Sequence, residues 1–126
     1  MNLKNTGLIL GLIIVLAGVL RLTALGNFPP GITIDEAGQG YSAYSILKTG
    51  KDEWGQFLPL SFRAFGDYKL PGYIYAAVPA VGVFGLNEFA VRFPSALAGT
   101  LTVLLVYFLT RQRISFTRSS VLKGFP

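Results

Sequence analysis

The sequence predicts an all-α membrane protein with about three transmembrane or membrane-embedded helices and an amphipathic surface helix in the first external loop. Three observations carry that prediction. Hydrophobic residues make up 52% of the 126-residue chain and the mean hydropathy is +0.53. Charged residues make up 13%, about half of the ~25% usual for a soluble domain. Apolar runs recur at 7–25, 71–85 and 93–110, separated by polar and aromatic segments. The length sets a ceiling of one domain, so 1–126 is read as a single membrane domain.

The first run opens after a polar start containing Lys4 and is interrupted only by Arg21. A span needs ~20 residues, and 7–25 suffices if Arg21 extends its head to the interface. A secretory signal peptide is the alternative, but no A-x-A-like cleavage site follows the run. The expectation is an uncleaved span with its amino-terminus in the cytoplasm. Gly26 to Pro30 ends this helix and opens an external loop over 26–70.

Within that loop a surface helix is expected over 34–49. Thr33 and Glu36 have capping-box spacing. Ala37, Tyr41, Tyr44 and Leu47 recur at three- and four-residue intervals and form an apolar stripe. Lys48 suits the last turn and Gly50 the carboxy-terminal cap. The segment 51–69 reads as a loop carrying Trp54, Phe57, Phe62, Phe65 and Tyr68, set against the membrane because Trp and Tyr favour the headgroup level. Pro71 suits the first turn of the next helix, and Pro79 marks an expected kink. Leu86 to Arg92 reads as a polar break before the third span at 93–110, and 111–126 as a basic tail. Three spans from a cytoplasmic start would place Arg111, Arg113, Arg118 and Lys123 outside, against the positive-inside tendency.

Composition also excludes chemistry. The chain has no cysteine and no histidine, so disulfides, thiolate nucleophiles, Cys/His zinc sites and Ser-His-Asp triads are ruled out. Acid–base work falls to Asp, Glu, Lys or Tyr. The net charge is +5, but the basic residues are scattered, which suits anionic lipid or a phosphate-bearing ligand better than nucleic acid.

The candidate site gathers in the external loop. Asp35 and Glu36 lie just beyond the first run, where carboxylates are costly and therefore candidates for function. The amino-terminus of the surface helix favours their ionised forms, and an ionised carboxylate can accept a proton from a hydroxyl. Lys69 stands just before the helix that Pro71 opens, a natural phosphate position. Asp67 and Arg92 are secondary candidates. Structural alternatives stand beside each: Glu36 as the capping-box acid, Asp35 as a complement to the helix dipole, Lys69 as an interfacial cation, Asp67 as a turn residue, Arg92 as a loop cation. Asp52 and Glu53 read as a solvated loop pair with no role.

Several blocks together resemble the amino-terminal portion of GT-C glycosyltransferases of the protein O-mannosyltransferase and lipid A aminoarabinose transferase type. They are Arg21, Pro30-Gly31-Ile32-Thr33-Ile34-Asp35-Glu36-Ala37, Ala43-Tyr44-Ser45-Ile46-Leu47-Lys48-Thr49-Gly50, Tyr68-Lys69-Leu70-Pro71-Gly72, and Phe84 to Ala96. The resemblance implies a polytopic enzyme of the plasma or inner membrane with its active loop on the external side. It implies transfer of a sugar, by expectation a hexose such as mannose, from a polyprenyl-phosphate carrier to an acceptor hydroxyl with inversion. Asp35 matches the family's base, Glu36 the acid that follows it, and Lys69 the partner of the carrier phosphate. The implied partners are the lipid-linked sugar, membrane lipids and an acceptor glycan, lipid or protein; no cofactor or metal is required. Two departures stand out. The family often shows Lys-Pro-Pro-Leu where this chain has Lys69-Leu70-Pro71-Gly72, and relatives carry many more spans. The chain is therefore expected to be a fragment of a larger transmembrane domain. The alternative is a non-catalytic membrane protein that binds lipid phosphate or pairs with another subunit.

Overall fold

The computed structural model describes the backbone of residues 3–64 and 66–123 and the side chains of 6–64 and 66–113. Four helices and one short hairpin follow in order: α1 (Leu3–Leu22), α2 (Ile34–Thr49), β1 (Phe62–Ala64), β2 (Asp67–Lys69), α3 (Pro71–Phe84) and α4 (Glu88–Lys123). The chain divides into two compact units, one made of 1–21 with 97–126 and the other of 22–96.

The first unit is helical, and most of its large apolar side chains among the described residues stay on the outside. Leu8, Leu12, Val15 and Leu16 of α1 and Leu101, Leu105 and Leu109 of α4 are exposed. The two helices meet through small residues: Ala17 is buried, and Gly18 lies against Thr100. A side chain at Gly99 would collide with Arg21, whose Nη1 donates to the Ala17 carbonyl at 3.2 Å. The stretch Glu88–Arg113 of α4, 26 residues that contain an 18-residue window of mean hydropathy 1.7, is long and apolar enough to cross a membrane, and only 6% of that window is buried within the molecule. The apolar helices Thr6–Leu22 and Pro71–Phe84 are shorter.

The second unit has its own core. Ala43 and Ile46 of α2, Phe62 of β1, Ile74, Ala77 and Val81 of α3 and Ala90 of α4 form one buried cluster, with Tyr75 and Val78 packed on it. Small residues set the spacing: Ala43, Ala77 and Ala90 are fully buried. A Cβ on Gly40 would come within 2.6 Å of Val91 Cγ2, so glycine is what allows α2 to approach that side chain. The capping box forms as the spacing predicts, with Glu36 N donating to Thr33 Oγ1 at 3.2 Å and Thr33 N to Glu36 Oε2 at 3.0 Å. Gly50 closes α2 in the left-handed conformation, φ 70°, its N–H bonded to the Ile46 carbonyl at 2.9 Å.

Several expectations need correction. The first helix ends at Leu22 rather than at residue 25, because Ala24 turns left-handed (φ 60°) and its carbonyl accepts from Asn27 N and Phe28 N. The expected stripe of Ala37, Tyr41, Tyr44 and Leu47 does form and is exposed, while Gly40, Ser42, Ala43 and Ile46 make the buried face, which lets α2 lie close to its neighbours. The loop 51–69 is not wholly irregular: β1 and β2 pair antiparallel, and the positive φ of Gly66 (88°) serves the two-residue connection. Phe62 sits in the core rather than against a membrane, and Phe65 lies outside the described residues. The polar break is short, because Asn87 caps α4 by accepting from Ala90 N at 2.8 Å, so Arg92 is helical. The basic tail continues α4 to Lys123, there being no Gly or Pro between Arg111 and Lys123 to stop it; its last residues, 124–126, lie outside the described ones.

Candidate functional site

Two ion pairs meet the first turn of α2, one at each of its neighbouring acids. Glu36 is held from two sides. Its Oε1 accepts from Arg92 Nε at 2.7 Å, and its Oε2 accepts from Arg92 Nη2 at 3.0 Å and from Thr33 N at 3.0 Å. This fork-to-fork geometry is the strong form of a carboxylate–guanidinium contact. The Arg92 bonds, with the Thr33 amide and the Arg92 charge added, hold the Glu36 carboxyl at about 2, well below the ordinary 4.5.

Arg92 reaches further than Glu36. Its Nη1 donates to the Leu25 and Pro29 carbonyls at 3.1 Å each, and its Nη2 to the Gly31 carbonyl at 2.7 Å. A guanidinium has five N–H donors, and these contacts use all of them. Arg92 is only 6% exposed. It ties the loop 25–31, the start of α2 and the start of α4 together, with no N–H left over for a ligand. Tyr73 supports the same junction from α3, its hydroxyl donating to the Val91 carbonyl at 2.7 Å.

Asp35, one residue away, is different. Its side chain is 80% exposed and Oδ1 lies 3.0 Å from Lys69 Nζ. Lys69 also donates to the Asp35 backbone carbonyl at 3.3 Å. The hairpin explains why Lys69 points there. The register pairs Lys69 with Phe62, and cross-strand partners share a face. Phe62 is buried, so Lys69 is turned inward, its side chain 16% exposed, toward the amino-terminus of α2. The same hairpin leads directly into α3, where Leu70 is the cap residue and Pro71 opens the helix.

The structure thus brings Asp35, Glu36, Lys69 and Arg92 to one helix end, but in two separate pairs. Asp67 stands apart at the hairpin turn, opposite Ala64, where its Oδ1 accepts from Tyr68 N at 2.7 Å, a turn role. Among the described residues, no group of three Asp or Glu side chains could hold a metal ion. An open groove is lined by Gly26, Phe84, Asn87, Glu88 and Phe89, with neither Asp35 nor Lys69 among them.

One residue dismissed on sequence grounds has a role. Asp52 is 6% exposed and its Oδ1 accepts from Trp54 N at 2.9 Å and Gln56 N at 2.8 Å, so it organises the turn before the hairpin rather than facing solvent. Its signal was the turn chemistry of Asp52-Glu53-Trp54-Gly55, an Asx turn ahead of a glycine. Compared with protein-family models, with curated proteins and with solved structures, the chain matches none.

Proposed function

We propose that this chain is the front end of a membrane glycosyltransferase domain of the GT-C type, spanning the bilayer about three times with the 26–70 loop on the external side. It moves a sugar, by expectation a hexose such as mannose, from a polyprenyl-phosphate carrier to an acceptor hydroxyl with inversion. The observation that carries this reading is the Asp35–Lys69 contact at 3.0 Å: an exposed acid and a cation, far apart in sequence, meet at the start of α2. A base that accepts a proton and a cation that accepts a leaving phosphate must lie within one substrate's length of each other.

In this scheme the acceptor oxygen attacks the anomeric carbon as Asp35 takes its proton. The bond from that carbon to the phosphate oxygen breaks, and its electron pair leaves with the polyprenyl phosphate. Lys69 stabilises the departing charge, helped by the amides of Gly72 and Tyr73 at the start of α3. Asp35 occupies two of the three donors of the Lys69 ammonium, so a phosphate first binds beside Asp35 and then competes with it for Lys69. That competition releases the Asp35 carboxylate toward the acceptor. Asp35→Asn, made in a transfer-competent protein containing this segment, is expected to lower transfer by on the order of a hundredfold or more while folding is retained. Undiminished transfer by that variant excludes Asp35 as the base.

A second reading is favoured by the 80% exposure of the Asp35 side chain, which is open to solvent rather than enclosed. In it the chain holds a lipid phosphate at Lys69 without catalysis, or pairs with another membrane subunit. Turnover by the purified 126-residue chain rules that reading out; polyprenyl-phosphate binding without turnover favours it.

A further inference from the structure

We propose that the outer face of the β1–β2 hairpin, with Trp54 laid against it, is a docking platform that seats in the headgroup–acyl boundary of a phospholipid bilayer. This rests on the membrane reading of the chain and is independent of sugar transfer.

The register puts Arg63 opposite Tyr68, on the side of the hairpin away from buried Phe62. Leu70 follows Tyr68 by two residues and keeps to the same side. Trp54 is brought onto this side by two restraints. Asp52 accepts from its backbone N–H, and its own indole Nε1 donates to the Arg63 carbonyl at 3.1 Å. The Arg63 guanidinium then lies over the indole ring at 4.9 Å. Trp54 is therefore fixed in place and yet 61% exposed; Tyr68 is 68% exposed and Leu70 85%.

The chemistry selects the occupant. The indole N–H is already satisfied within the chain, so the ring offers apolar area and no donor. Leu70 offers only hydrocarbon. A sugar ring would need hydrogen-bonding partners around the stacked face, and those are missing from Trp54 and Leu70. A bilayer boundary suits all four groups: acyl carbon for Leu70, the headgroup level for the Trp54 and Tyr68 rings, lipid phosphate for Arg63. The same chain carries a helix of spanning length, so a bilayer is within covalent reach.

Trp54 is the only tryptophan in the chain, and its fluorescence reports the platform directly. The full chain is reconstituted into phosphatidylcholine–phosphatidylglycerol vesicles and its association checked by flotation. Spin labels just below the headgroups are expected to quench Trp54, labels at the bilayer centre to quench it far less, and aqueous acrylamide to lose access. Leu70→Asp removes apolar area at an exposed cap position, where aspartate favours the helix, so the fold survives; it is expected to restore acrylamide quenching in part. Arg63→Gln is expected to weaken the headgroup-label quenching. Flotation with Trp54 still open to acrylamide overturns the platform alone, whereas failure to float overturns the membrane reading with it. Protection of Trp54 by a soluble oligosaccharide, in place of lipid, also overturns the proposal.

Discussion

Asp35 and Glu36 are sequence neighbours at one helix end, and their surroundings differ in every respect that decides function. Glu36 has both oxygens occupied, by the buried Arg92 fork and by the Thr33 amide. Asp35 has a single cationic partner and an 80% exposed side chain. The partners differ as much. Arg92 spends every donor inside the protein, whereas Lys69 carries a compact ammonium that can exchange partners. One pair holds the fold together, and the other is available to a ligand. Identical chemistry one residue apart can thus serve opposite ends, depending on whether the partner is pre-committed.

The largest way to break this contrast is Arg92→Ala. It removes the buried donor shared by Glu36, whose side chain is 24% exposed, and three backbone carbonyls, and the thermal midpoint of the detergent-solubilised chain is expected to fall by on the order of 10 °C. Arg92→Lys should recover little of it, because an ammonium cannot span the same set of acceptors. Midpoints of both variants, followed by circular dichroism, check this.

Glu36→Gln comes next, with an expected loss of about 1–3 kcal/mol, since the amide keeps one capping acceptor but loses the charge. The pH dependence follows with a defined sign. The folded carboxyl sits at about 2 and the ordinary value is 4.5. Between those values the unfolded chain binds more protons than the folded one, so stability rises with pH. The Glu36 contribution is complete above the ordinary value and is lost as pH falls toward 2. Midpoints taken down this range should drop more steeply for the wild type than for Glu36→Gln; parallel curves would count against the Arg92–Glu36 pair.

The Asp35–Lys69 pair should respond in the opposite way. Asp35→Asn is expected to change stability by no more than about 0.5 kcal/mol, its effect appearing in transfer instead. Lys69→Ala should weaken polyprenyl-phosphate binding by about tenfold and flatten its salt dependence. A large thermal shift in either variant would erase the distinction between the two pairs.

Much of the local structure was legible beforehand. The Thr33–Glu36 box, the Gly50 cap and Pro71 at the start of α3 are signals whose partners lie within four residues, and each formed where the spacing put it. The place of Asp35 beyond the first apolar run and that of Lys69 before a helix are likewise readable from the sequence. The hairpin is not legible in the sequence because three-residue strands are too short to show alternation. Asp52 was missed because two charged neighbours in a loop look solvated, and burial of one of them is a property of the turn around it. The packed face of α2 is not legible from the apolar stripe, because close packing here selects glycine and alanine while the large aromatics stay exposed.

The sequence by itself determined where helices lie, the caps of α2, the chemistries that composition rules out and the apolar character of a helix long enough to cross a bilayer. These depend on residue type and on spacing within a few turns. Only the tertiary structure decided which acid was committed. Arg92 reads as a loop cation until α4 starts at Glu88 and turns it toward Glu36, and Lys69 reads as an interfacial lysine until the hairpin register aims it at Asp35. Which charge meets which is set by how elements distant in sequence pack, and neither propensity nor local spacing encodes that.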